Sequence, residues 1–267
     1  FGFATSATDI ILARTAAGEV RPEVRARLTI NQLPPVTLTG PIGVDGLMNL
    51  SAAQPNLALG GLNLSSARID LTRLARSKTA TLAVSGSLNV AGVNVTVRGE
   101  LANNQLTLTS TGALDLGNGV VIRSSGTQPV VTVVANAAGA YEITVSGQVS
   151  IAGVATLAVN GKVVNGQLTL SATVPPINLG EFRLEGAANG NLTATVTANG
   201  VTIAPGARLL YKGEVLTTPT LPQFTIAANG DFRVSVTPAM TVGMTLNRFP
   251  INNGTFSFSR TLGITSA

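Results

Sequence analysis

The sequence predicts an all-β protein, an antiparallel, hairpin- and meander-rich sandwich or elongated stacked β structure. Three observations lead there. Apolar and polar residues alternate with period two over long stretches, Asn-Gly dipeptides punctuate the chain, and one long segment echoes another. Alternation marks half-buried strands, and Asn-Gly marks tight hairpins.

Taken in order, Phe1 to Leu12 is small and apolar, with Asp9 as its only charge. Pro22, Pro34-Pro35 and Pro41 mark extended or loop-like chain. Ser65 to Lys78 reads as the one plausible helix, with Ser66 as N-cap and Arg76 and Lys78 near its end. A strand with Arg68, Asp70 and Thr72 outward and Ile69 and Leu71 inward fits nearly as well. The clearest alternation follows. Leu82, Val84, Gly86, Leu88 and Val90 share one face, the phase flips at Ala91-Gly92, and Val93, Val95 and Val97 continue with Asn94, Thr96 and Arg98 outward. Leu106 and Leu108 then alternate with Thr107 and Thr109. β-branched residues are stiff at χ1 and suit a pleated surface. Pro175-Pro176, Pro219 and Pro222 mark later breaks.

Asn-Gly begins at positions 118, 160, 165, 189, 199, 229 and 253, and Asp45-Gly46 is an equivalent pair. Both residues tolerate the positive φ of a type I′ turn, whose twist matches the flanking strands. The echo runs between residues 81–117 and 142–180: Val84-Ser85-Gly86 returns as Val145-Ser146-Gly147, 61 positions on, and Gln105-Leu106-Thr107-Leu108 as Gln167-Leu168-Thr169-Leu170, 62 positions on. An internal repeat of that length points to duplication of a structural unit. The chain divides into an N-terminal segment with a first β region, 1–78, and a repeat-containing β region, 79–267; a further break lies within 187–205.

Composition narrows the chemistry. The 267 residues include no His, Cys or Trp, and charged residues make up 11%, against about 25% in an average domain. A Ser-His-Asp triad, imidazole acid–base chemistry, a thiolate nucleophile and a His- or Cys-ligated metal site are all excluded. The net charge is +5 and the pI 10.4, but the chain is charge-poor rather than densely basic. The cations scatter, with loose clusters at Arg21, Arg25, Arg27 and at Arg68, Arg73, Arg76, Lys78, and acidic residues sit among them. Nucleic-acid binders carry a basic stripe with stacking aromatics, so no nucleic-acid partner is expected. No uninterrupted apolar run is long enough for a membrane helix, and stable membrane insertion is not expected. The start at Phe1 fits a processed mature chain or a fragment.

The carboxylate pairs Glu181/Glu185 and Glu100/Asp115 are the ones to weigh for glycosidase chemistry, which needs two carboxyls in a cleft. On a strand Glu181 and Glu185 would share a face but stand roughly 13 Å apart, and no Trp is present to stack a sugar. They read as solvated side chains. Asp45 and Asp231 stand alone, so turn chemistry explains them better than calcium. No phosphate loop or Ser-x-x-Lys motif with its companions occurs, and no cofactor is expected. Sequons at Asn49, Asn63, Asn94, Asn191 and Asn253 would matter only in a compartment with glycosylation machinery.

The most informative feature is the unprotected strand edge. Edges are usually guarded by Lys, Pro or inward charge, whereas this chain has three Lys. Phe1, Phe3, Ile10, Ile11 and Leu12 form a candidate donor strand that would complete a neighbouring subunit; the same residues could instead be the first strand of their own domain. The expectation is a non-enzymatic structural protein, extracellular or at the cell surface. It would assemble with copies of itself by strand addition into a filament, pilus-like fibre or surface layer. Residues 80–200, with Val/Leu alternating against Thr/Asn and a turn–strand echo, also resemble the repetitive β segments of AsmA/TamB-type envelope proteins, without a specific motif. That resemblance implies an open apolar groove that handles lipid. An adhesin module is a third reading, weakened by the shortage of aromatics.

Overall fold

Alternation decides the fold. A strand that buries every second side chain needs neighbours on both edges and cover on one face, and short two-residue loops supply the neighbours in sequence order. A computed structural model of the chain describes residues 3–266 except 31–34, 44–45, 60, 74–79, 111, 137, 152–154, 180, 187–189, 216, 219–222, 231, 235–242, 247–248, 252–255 and 260–262. The protein is all-β: no helix occurs among the described residues, and every described strand pair is antiparallel.

The strands run as a meander. β1 (Phe3–Arg14), β2 (Val20–Ile30), β3 (Val36–Pro41), β4 (Met48–Leu59), β5 (Leu62–Arg73), β6 (Ala80–Val90), β7 (Val93–Ala102) and β8 (Gln105–Ser110) each pair with the next. β9 (Leu114–Gly117) and β10 (Val120–Arg123) then form a hairpin of their own, and the chain returns so that β11 (Val131–Asn136) pairs with β8. β12 (Tyr141–Ile151), β13 (Ala155–Val164) and β14 (Gln167–Val174) follow, and the same detour recurs. The hairpin of β15 (Ile177–Leu179) and β16 (Phe182–Gly186) leaves, and β17 (Leu192–Thr197) returns to β14. β18 (Gly200–Ile203), β19 (Ala207–Tyr211), β20 (Glu214–Val215), β21 (Thr217–Thr218), β22 (Phe224–Ile226) and β23 (Phe232–Val234) lead to a third detour, the hairpin of β24 (Gly243–Leu246) and β25 (Phe249–Ile251). β26 (Phe256–Ser259) then pairs with β23, and β27 (Gly263–Ser266) closes the order.

By contacts the chain forms two compact units, residues 1–112 with 129–144 and residues 113–128 with 145–267. Residues 74–79, where the sequence break falls, lie outside the described residues.

In the first unit the core is the alternating face. Val24, Ala26 and Leu28 on β2, Leu62, Leu64, Ile69 and Leu71 on β5, Leu82, Val84, Leu88 and Val90 on β6, and Leu106 and Leu108 on β8 are all buried. Ser110 ends the β8 series on the same face. Its Oγ accepts a hydrogen bond of 2.9 Å from Val131 N, which satisfies a buried donor where β11 enters. The second unit has its own core, with Val149, Ile151, Leu157, Val159, Leu170, Ala172, Val174, Leu184, Leu192, Val196 and Ile203 buried.

The structure corrects the helix expectation at 65–78. The described part, through Arg73, is strand β5, with Ile69 and Leu71 buried and Arg68 exposed. The register slips between Ser65 and Arg68, and Ser66 has φ 48°. This bulge breaks the plain alternation that would have declared a strand. Turn chemistry is borne out in part. Asn118-Gly119 (φ 50° and 82°) and Asn165-Gly166 (φ 52° and 75°) are two-residue hairpin loops. Ala91-Gly92, Asn103-Asn104 and Lys212-Gly213 do the same work with other residues. Asn160-Gly161, in contrast, lies inside β13, with Asn160 opposite Ser171 and Gly161 opposite Leu170. Asp45, Asp231 and Asn253-Gly254 lie outside the described residues.

Candidate assembly edge

Segment 1–12, apart from Phe1 and Gly2, which lie outside the described residues, forms β1 and pairs antiparallel with β2 of its own chain. Phe3 stands opposite Ile30, Ile10 opposite Val24, Ile11 opposite Glu23 and Leu12 opposite Pro22. The segment is therefore the first strand of its own sheet. β2 is its one strand partner among the described residues, and among them the N–H and C=O groups of its other edge meet no strand. The register with β2 shifts once, between Ala7 and Asp9, and is then unbroken from Asp9 to Arg14.

Directly opposite residues of an antiparallel pair point to the same face. Val24 is buried, so Ile10 belongs to the core face, as does Leu12 two residues on. Yet Ile10 is 72% exposed and Leu12 75%. Val20 on β2, of the same parity, is 62% exposed. The core layer stops at the middle of β2, and the apolar face runs past it uncovered. Beside this end lies a hollow of about 520 Å³ lined by Pro22, Pro41, Ile42 and Leu47, with Arg21 and Asn49 at its polar side. The patch was only half legible: the apolar run names the residues, but its exposure depends on where the core ends.

A second hollow, of about 490 Å³, lies on the polar face of β4 to β7, where Arg68 and Asp70 pair at 2.8 Å beside Arg98 and Glu100. Two cations and two carboxylates line it, one of each on β5 and one of each on β7, which leaves no charge excess to attract an ion.

The sequence-derived carboxylates are dispersed. Glu100 lies on β7 and Asp115 on β9, where Asp115 accepts a hydrogen bond from Gly117 N at 2.9 Å. Glu185 on β16 lies between Arg183 and Arg208, both at 3.3 Å. Glu181 sits in the β15–β16 turn, 3.2 Å from Lys212 Nζ, and Lys212 N donates to Glu181 O at 3.0 Å. Hydrogen bonds from Tyr211 and Lys212 hold the Glu181 carboxyl below its ordinary range, and the same contacts push the Lys212 ammonium up. A carboxylate lowered in this way stabilises above its unfolded-state pKa, and that contribution is lost as pH falls through the folded value. Tyr211→Phe and Lys212→Met should each move the Glu181 midpoint back up, Tyr211→Phe by more, in an NMR titration of the carboxyl carbons. Both groups are more than half exposed, so the effect on stability is small.

No group of His, Cys, Asp and Glu suited to holding a metal occurs among the described residues. Among them there is no helix long and apolar enough to cross a membrane. In comparison with known proteins, the chain matches no family model, no curated protein and no solved structure.

Proposed function

We propose that this is a non-enzymatic structural protein that assembles with copies of itself by β-strand addition, as the subunit of a filament, fibre or surface layer outside the cell. One observation carries the reading: β1 is a long strand without lysine, paired on one edge only among the described residues, with exposed apolar residues on the core face near its end. Polar faces made of Thr, Ser and Asn support it, because neutral side chains can pack against copies with little desolvation of charge. The thrice-used detour supports a subunit grown by duplication. The return strands β11, β17 and β26 start at residues 131, 192 and 256, spacings of 61 and 64.

The experiment is light scattering with electron microscopy over a wide concentration range. The wild type should grow in mass with concentration. Ile10→Lys with Leu12→Lys should keep the same circular dichroism and stay monomeric. A wild type that remains a monodisperse monomer would sink the reading.

A lipid-handling groove draws on the same uncovered apolar end and its hollow. The closely packed face from the middle of β2 onward favours self-assembly over an open groove. Native mass spectrometry separates the two: co-purified lipid on a monomer would favour the groove.

A further inference from the structure

We infer that β1 pairs with the β1 of a second copy, antiparallel across a two-fold axis centred on Ile11; this rests on the strand-addition reading. An antiparallel pair of identical strands has its two-fold perpendicular to the sheet, so each residue faces one of its own parity. Both copies then keep their core faces on the same side, and the two-fold closes this contact at a pair, so growth into a filament or layer takes a second contact elsewhere on the subunit. The unbroken stretch Asp9–Arg14 allows few centres. Centred on Leu12, the pairing sets Ile10 against the partner's Arg14. Centred on Ile10, it sets Asp9 against the partner's Ile11. Centred on Ile11, it places each Ile10 against the partner's Leu12, so the two most exposed apolar side chains of β1 form one cluster of four. Asp9 then meets the partner's Ala13, whose single methyl leaves the carboxylate in solvent, and no charge opposes a large apolar side chain or its own kind. The bulge between Ala7 and Asp9 limits the contact to this stretch.

The absence of cysteine makes the register directly measurable. In this pairing the two Ile11 Cα atoms stand about 4.5–5.5 Å apart, within disulfide range. Two copies of Asp9, or of Ala13, stand about 13 Å apart. Under mild oxidation Ile11→Cys should give mostly disulfide-linked dimer. Asp9→Cys alone and Ala13→Cys alone should stay uncrosslinked, and mixing those two should give the heterodimer. Equal crosslinking at all three positions, or crosslinking centred elsewhere, would overturn the register while strand addition stands. Concentration-dependent growth without any β1 crosslink would move assembly to another edge. A failure of the wild type to associate at all would remove the underlying reading as well.

Discussion

Replacing Gly99 with alanine should destabilise the protein by about 3 kcal/mol, lowering the melting temperature by about 5 °C for a chain of this size. Gly99 lies within β7, opposite Leu108. A Cβ built there would fall 1.7 Å from the backbone carbonyl oxygen of Thr107 and 2.9 Å from Leu108 Cα. Neither atom belongs to a side chain that can swing away, so relief requires moving β8 off β7. Gly161 in β13, 62 residues on, meets Thr169 O at 2.0 Å in the same way, and Gly161→Ala should cost a similar amount. Gly112→Ala is the control. Nothing lies within 4 Å of its Cβ, and the change should stay within about 0.5 kcal/mol. Urea denaturation of the three variants reads all of this, and a neutral Gly99→Ala would mean that β7 and β8 do not approach as described.

These glycines also show what the sequence could and could not reveal. Where loops are short and one face is buried, as in β6 to β8, period two gave both strand and core face. Leu82, Val84, Leu88, Val95, Val97, Leu106 and Leu108 are buried as the alternation predicts. Asn160-Gly161 misleads because the dipeptide carries turn chemistry, while what selects Gly161 is a close carbonyl on the neighbouring strand. That approach belongs to the neighbouring strand and leaves no signature in the dipeptide itself. Asn103-Asn104 was missed for the opposite reason, since Asn alone can hold positive φ at both loop positions. The detours were invisible because the pairing of β8 with β11 skips two strands, and pairing partners are not written in a strand's own pattern. At the assembly edge, residues Phe3 to Leu12 were legible as an apolar strand. That they pair with β2, and that Ile10 and Leu12 lie beyond the end of the core, follows only from the register.

A second large effect tests the proposed duplication. Deleting residues 137–199, 63 in all (199 − 137 + 1), should leave a cooperatively folded chain of 204 (267 − 63). The junction Asn136-Gly200 restores a sequence the protein already uses. Val131 to Asn136 reads Val-Thr-Val-Val-Ala-Asn, and Ala194 to Asn199 reads Ala-Thr-Val-Thr-Ala-Asn. The structural places also correspond. Val133 stands opposite Leu108, and Val196 stands opposite Leu170, itself 62 residues after Leu108. The detour hairpins match as well: β10 pairs with the later part of β12, Ile122 opposite Val149, and β16 pairs with β19, Leu184 opposite Leu209. After the deletion β11 would take β18 as its hairpin partner, β18 would keep β22, and β10 would take β19 in place of β12. Each remaining strand then finds a neighbour of the kind it has lost. A deletion of equal length out of phase, residues 152–214, joins Ile151 to Val215 and leaves β22 without β18, its partner at Val201 and Ile226. That variant should expose apolar strand faces and aggregate. Far-ultraviolet circular dichroism and the sharpness of the urea transition separate the outcomes. An in-phase deletion that unfolds as completely as the out-of-phase one would mean that the three detours are one fold's contingencies and not copies of a unit.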